Sequence, residues 1–328
     1  MKKGHIVLLG ATGIFGKQLT EALCAKGFPS DALSLVASKH SEGEEVSYGE
    51  DSLWVEAMAP SVLKGAQLAI LALPREAAAQ AVVWAEQVGL RILDASGGSM
   101  PQVPLASPHA LGKAKVEWPR SERHLALASP LAQVLACLLF SLKPLGPVEA
   151  TAICGAACLG QSGLKALEKQ TLAILNGRDV EVEEGRRQAF NLLPAFEGEA
   201  AQGGFANHAE AETPRELTRL LGSPVALGLH VFLAPFFFGV TVSFAVAVES
   251  GKGLEHWRKA LASGYEMKML EDKKHGLSPM PMLVSQDASV LIGKLRLENE
   301  VLRGVLAFEP ANRLADFAAN LAMAGVEA

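Results

Sequence analysis

The chain has 328 residues, a formal net charge of −5, 49% apolar residues and 20% charged residues. That length implies two domains, and an acidic balance with Lys and Arg scattered, never in a run, excludes the electrostatic footprint of nucleic-acid binding. Cys24, Cys137, Cys154 and Cys158 lie in apolar or glycine-rich surroundings without His or further Cys at ligand spacing, so they read as reduced thiols of a cytoplasmic protein and not as a metal site.

In chain order, "HIVLL" at 5–9 is a compact apolar strand that runs into "GATGIFG" and then an amphipathic helix ending near Lys26. The basic start and short apolar run imitate a secretory leader, but a glycine pattern stands where a long apolar region and cleavage site belong. Gly10, Gly13 and Gly16 fall between strand and helix at the spacing that gives a tight turn, close approach of backbone to a pyrophosphate, and close helix–strand packing. The expected cofactor loop is Gly10, Ala11, Thr12, Gly13, Ile14 and Gly16, with the amides of Ala11 to Ile14 on the pyrophosphate. "LSLVAS" is a second strand, ending in Ser38, Lys39 and His40 with no acid before Glu42. Hydroxyl and cationic groups there suit a 2′-phosphate and favour NADP over NAD. "SEGEE" behind it reads as a solvated loop. "AQLAILALP" and "RILDAS" are further strands, with an alanine-rich helix from Arg75 to Val88 between them. The alternation predicts an α/β fold whose residues 1–127 form a Rossmann-like, doubly wound domain.

The stretch "HLALASPLAQVLACLL" reads as a strand, a cap and a helix, with Ser129 capping and Pro130 in the first turn. A helix N-terminus after a strand is a place where exposed N–H groups stabilise a thiolate or oxyanion, yet this turn offers Leu131, Ala132, Gln133 and Val134. "GPVEATAICGAACLG" is a strand entering a glycine turn, with Cys154 and Ser162 as reactive groups beside it, and "QSGLKALEKQTLAILNG" is an amphipathic helix. After an acidic, loop-rich middle and a helix in "PRELTRLLG", the stretch from Val225 to Val248 is long enough to cross a bilayer. It is broken by Gly228, Pro235 and Gly239 and carries His230, so it reads as two buried strands of a covered sheet and no membrane span is expected. Phe236 to Phe238 are expected to fill a core, and His230 is either a core histidine or an acid–base group. A helix in "GLEHWRKALASG", strands in "SVLIGKLRLE" and "VLRGVLAFE", and a last helix in "ANRLADFAANLAMAG" complete the pattern. Residues 128–310 are expected to form a second, α+β domain with a mixed sheet and helices on one face, and helix 311–328 to return to the first domain.

"GATGIFGKQLTEAL", "FPSDALSLVASKHSEGEEV", "LDASGGSM…VPL", "GQSGLKALEKQT" and "FNLLPAFEG" follow one another in the order found in aspartate-β-semialdehyde dehydrogenases, and the chain resembles that family over essentially its whole length. The resemblance implies an NADP-binding N-terminal domain and a C-terminal α+β domain that forms a homodimer through its sheet. Members of the family reduce aspartyl phosphate through a thioester. A cysteine in an "NPNCST"-like turn attacks, a His in a "GHS" turn moves protons, and Arg and Lys hold carboxylate and phosphate.

Carried over residue by residue, the cysteine's position is Ala132 in "SPLAQV", with Ser129 and Leu131 in place of the asparagines. "HVFLAPFFF" puts His230 where an arginine grips a carboxylate and Phe237 where the catalytic His stands. The arginine of "AFRM" has no equivalent in "SGGSM", the family's glutamine falls near Cys154, and its phosphate-binding lysine falls at Glu212. Asn312 and Asn320 are kept while the "RKGA" between them becomes "LADF", and Asn312 joins the expected cofactor set. Thiol, base and anion clamps are thus missing together, as in the Usg-type branch of the family. Two other readings stay open: an NADP-dependent oxidoreductase for a different substrate, with Cys154 or His230 in its site, and a subunit partner of an active dehydrogenase.

Overall fold

The computed structural model describes residues 4–97, 102–111, 114–180, 182, 186–195, 206–270, 277–285 and 287–327, which divide into two compact units. The first comprises Met1–Pro108, Ala114–Ala128 and Ala311–Ala328, and the second His109–Lys113 and Ser129–Pro310.

In the first unit, β1 (Ile6–Leu9) leads through the glycine turn to α1 (Ile14–Ala25), followed by β2 (Leu33–Ala37), β3 (Glu45–Tyr48) and β4 (Asp51–Ala57). Next come β5 (Leu68–Leu71), α2 (Arg75–Gln87), β6 (Arg91–Asp94), β7 (Leu105–Ala106) and β8 (His124–Leu127). The sheet order is β3-β4-β2-β1-β5-β6-β8-β7, and every pairing is parallel except the β3–β4 hairpin. All four residues of β1 and of β5 are buried, as expected for central strands of a parallel sheet covered on both faces. On one face Val7, Leu9, Val36, Ala69, Leu71 and Ile92 pack with Ala78, Ala81, Val82 and Ala85 of α2. "SEGEE" is largely the solvated turn expected of it: Glu42 to Glu45 are exposed, Ser41 alone is buried, and β3 begins at Glu45. Tyr48 is buried and donates to Phe28 O at 2.7 Å, which anchors the edge strand β3.

The second unit runs α3 (Pro130–Leu142), β9 (Val148–Cys154), α4 (Gly160–Leu175), β10 (Leu193–Pro194), α5 (Ala209–Leu221), β11 (Leu227–Leu233) and β12 (Val240–Ala247). It continues through α6 (Leu254–Ala262), β13 (Met267–Met269), β14 (Val290–Glu298) and β15 (Val301–Phe308). Its mixed seven-stranded sheet has the order β10-β11-β9-β12-β15-β14-β13. Strands β14 and β15 are joined by a two-residue turn in which Asn299 and Glu300 both have positive φ, the twist a tight hairpin requires. Val148, Ala150, Ala152, Leu229, Val231, Val242 and Val246 point into one core with α3, α5 and α6. The opposite face alternates out to solvent, so the stretch from Val225 to Val248 is not the covered pair of strands that its composition suggests. β11 and β12 also do not pair with each other, because β9 lies between them, parallel to one and antiparallel to the other. Helix α7 (Pro310–Glu327) then joins the first unit, where Asp316 meets Lys26 of α1 at 2.6 Å and Gly325 O accepts from Arg91 at 2.7 Å. No helix among the described residues is long and apolar enough to cross a membrane.

Candidate functional site

Two places in the fold are candidates: the glycine turn after β1 and the N-terminus of α3. At the first, Gly10 has φ +91° and a Cβ there would lie 2.1 Å from Ala72 O, while a Cβ on Gly16 would lie 2.2 Å from Gly10 O. Both positions therefore require glycine for backbone packing. Gly13 has more room, and its N–H closes the turn onto Gly10 O at 3.1 Å. The amides of Gly10 and Ala11 both donate to Val36 O, at 2.8 and 3.1 Å. This corrects one expectation: the Ala11 amide is spent on β2 and the Gly13 amide within the turn. What the turn offers is the start of α1. Gly13 is its N-cap with no side-chain cap, and the first helical donation runs from Lys17 to Gly13 O at 2.9 Å. The amides of Ile14, Phe15 and Gly16 thus have no acceptor one turn back, and they carry the positive end of a three-turn helix. An uncapped helix start behind a glycine cradle fits a dinucleotide's pyrophosphate.

The end of β2 approaches this turn. Ser41 is buried and its hydroxyl donates to Thr12 Oγ1 at 3.5 Å, while Ser38, Lys39 and His40 are exposed beside it in a short 3-10 turn. Asn312 stands half-buried in the first turn of α7. A cation that sequence reasoning missed is Arg75. It opens α2 just past the end of β5 and donates to Gly97 O at 2.6 Å, so a guanidinium reaches the loop of "SGGSM" from outside it. The available signal was position, because in parallel sheets ligands bind beyond the carboxyl ends of the strands. Residues 98–100 of that segment lie outside the described residues.

At the second place, Ser129 caps α3 as its sequence implies, with Oγ accepting from Ala132 N at 3.3 Å. Ser129 is itself held by Glu216 of α5, whose carboxylate accepts from Ser129 N at 3.0 and 3.2 Å and from Ser129 Oγ. Burial pushes the Glu216 carboxyl above the usual range, and the two Ser129 donors pull it back. The result is a helix N-terminus closed by the protein's own carboxylate. Ala132 is 0% exposed, as are its neighbours Leu131 and Gln133. Glu216 had no local signal, since its partner is 87 residues away.

The other singled-out residues disperse. Phe237 and Phe238 are 45% and 47% exposed and do not fill a core as expected. Only Phe236 packs down, over Gly155, where a Cβ would be 2.9 Å from its ring. The loop is pinned by its backbone instead: Ala156 N and Ala157 N donate to Phe236 O and Phe237 O, each at 2.8 Å. His230 is neither a core histidine nor near a thiol. Its side chain is 77% exposed on the open face of the sheet, 4.0 Å from a Glu210 oxygen, because its strand alternates and Leu229 and Val231 take the inner positions. Cys154 is buried at the end of β9, and it hydrogen-bonds the buried Cys158, whose thiol burial pushes well up. A thiol so placed is a poor nucleophile. Glu212 lies in the first turn of α5. Among the described residues, no three His, Cys, Asp or Glu side chains gather as metal ligands would.

Comparison with known proteins agrees with these features. Residues 5–113 match the family described as "Semialdehyde dehydrogenase, NAD binding domain". The chain is 31% identical over 248 residues to a USG-1 protein homolog from Pseudomonas aeruginosa, covering 73% of this chain and 72% of that one. It is 24% identical over 308 residues to an aspartate-semialdehyde dehydrogenase from Synechocystis sp., covering 89% and 87%. The crystal structure of aspartate semialdehyde dehydrogenase II from Vibrio cholerae superposes with a TM-score of 0.84 at 19% identity, over 96% of each chain, a likeness of fold.

Proposed function

Because this chain belongs to the aspartate-semialdehyde dehydrogenase family, we propose that it is a member that binds cofactor and lacks the family's thioester dehydrogenase chemistry. The observation that carries this reading is the start of α3. A methyl group stands at the position that the resemblance gives to the nucleophile, wholly buried, on a helix N-terminus that Ser129 and Glu216 already occupy. The position of the proton carrier is a phenyl ring, Phe237. Removing both members of a nucleophile–base pair costs many orders of magnitude in rate, and no positioning effect replaces the missing bond to sulfur.

The cofactor of this reading is NADP. The start of α1 and the glycine turn would hold the pyrophosphate, and Lys39 and His40 a 2′-phosphate. A bound nicotinamide supplies hydride chemistry; around it this chain contributes donors and cations but, among the described residues, no ionisable thiol–imidazole pair. The reading also makes the protein a homodimer through the open sheet face of the second unit, which is supported by the exposure of Glu149, His230, Ser243 and Arg303 on that face. It places the chain in the cytoplasm, supported by four cysteines of which none is in a disulfide.

The test combines two measurements on the purified chain. Calorimetric titration with NADP and NAD is expected to give binding, with NADP tighter. Addition of aspartate semialdehyde and phosphate is expected to give no sustained NADPH formation. Turnover at a rate typical of metabolic enzymes contradicts the reading.

A further inference from the structure

The open face of the second unit's sheet carries its charges in an order that fixes how a second copy would sit on it. Cross-strand register aligns Gly228, Glu149, Ala245, Arg303 and Arg296 in one row across β11, β9, β12, β15 and β14. The next row on the same face is His230, Thr151, Ser243, Val305 and Gly293. The central strand β12 therefore contributes only small side chains, Ala245 and Ser243. One strand to one side of it stands an exposed carboxylate, and one strand to the other side an exposed guanidinium. The rows floor a depression of about 590 Å³.

Three local features hold this arrangement. Glu149 lies flat over β11 because Gly228 has no side chain: a Cβ there would be 2.2 Å from Glu149 Oε2. Arg303 is directly opposite Arg296, a like-charge pair that weakens a sheet unless an anion compensates it. Compensation within the chain is slight, from an exposed Glu298 oxygen 3.7 Å from Arg303 Nη1. A bulge after Gly293, with Lys294 at φ +52°, adds a further cation on the same side. On the carboxylate side, His230 sits against Glu210 at 4.0 Å.

We propose that this face pairs with a second copy about a two-fold axis running along β12, so that Glu149 of each copy meets Arg303 of the other. The inference rests on the homodimer reading above and specifies its register. A two-fold axis along the central strand reverses the row. Glu149, about one strand spacing of ~4.8 Å to one side, then faces Arg303, the same distance to the other side. The two sheets pack about 10 Å apart, a gap that a Glu and an Arg side chain bridge together. Ala245 and Ser243 at the axis let the copies approach. A two-fold axis across the strands would instead set Glu149 against Glu149 and Arg303 against Arg303, an arrangement that repulsion disfavours.

The full-length chain is measured by sedimentation equilibrium as wild type, Glu149→Arg, Arg303→Glu and the double reversal E149R/R303E. Wild type is expected at twice 34.6 kDa. Each single reversal creates two like-charge contacts per dimer and is expected to weaken association at least about 100-fold, while the double reversal returns within about tenfold of wild type. Mixing the two single variants is the decisive arm. One then carries arginine at both positions and the other glutamate at both, so together they form a tight heterodimer although neither self-associates. If a reversal fails to fold, Glu149→Gln and Arg303→Gln replace it, with a smaller expected weakening and a partial gain on mixing, because each heterodimer regains one Glu149–Arg303 pair. A monomeric wild type overturns the homodimer reading and this register with it. A dimeric wild type whose single reversals associate normally, or whose mixture stays monomeric, overturns the register alone.

Discussion

The bond between α3 and α5 gives a stability prediction that can be worked from the structure. Replacing Glu216 by Ala removes the acceptor for two donors at once, the Ser129 N–H at 3.0 and 3.2 Å and the Ser129 hydroxyl. An unmet buried donor costs about 1–3 kcal/mol, and the space left by the deleted side chain admits water to one of them. Glu216→Ala is therefore expected to lose about 2–3 kcal/mol. Ser129→Ala loses the cap on Ala132 N, worth about 1 kcal/mol. The double variant loses less than the sum by about 1 kcal/mol, because the hydroxyl that Glu216 serves is already gone. Urea unfolding followed by far-UV circular dichroism gives the free energies, and hydrogen exchange at the α3 amides shows that the loss is local. The pH dependence has a definite sign. Burial raises the Glu216 carboxyl in the folded chain, so the folded state holds this proton where the unfolded chain releases it. The group's contribution is thus most favourable below the ordinary glutamate value and declines as pH rises from there through the raised folded value. Glu216→Gln removes that slope. A Glu216→Ala variant within 0.5 kcal/mol of wild type, or a slope unchanged in Glu216→Gln, refutes the reasoning.

Three further outcomes are expected. Gly10→Ala drives a methyl to 2.1 Å from Ala72 O at a φ that side chains avoid, and is expected to cost 3 kcal/mol or more and to abolish the thermal stabilisation given by NADP. Lys39→Ala is expected to weaken NADP about tenfold, or about 1.4 kcal/mol, with NAD unchanged in the same titration; equal weakening of both would show that the lysine does not read the 2′-phosphate. With a thiol reagent on the native chain, the half-buried Cys24 is expected to react first. Cys137, Cys154 and Cys158 should follow only as the fold opens, and rapid native labelling of Cys154 would revive it as a nucleophile.

What the sequence disclosed was local. The strand–glycine–helix start is written in consecutive residues, since the crowding at Gly16 involves backbone that the same motif supplies, although Gly10 is held by Ala72 from a distant part of the chain. The cap at Ser129 was legible for the same reason. The stretch from Val225 to Val248 misled because Phe, Gly and Val in succession give no clear alternation, and the pairing that separates β11 from β12 comes from β9, more than seventy residues earlier. His230 and the Phe236–Phe238 turn were misjudged with it: a residue's face on a strand follows from register, which neighbours in sequence do not set. Glu216 and Arg75 escaped notice because each acts on a loop that another part of the chain brings to it.

The account's central claim is that no residue here forms an acyl bond to substrate. Mixing the chain with NADP and aspartate semialdehyde without phosphate, and following both a single-turnover burst and the intact protein mass, tests it most directly. The expected result is no stoichiometric NADPH burst and an unchanged mass. A burst near one equivalent, together with an adduct that maps to a cysteine, would contradict it.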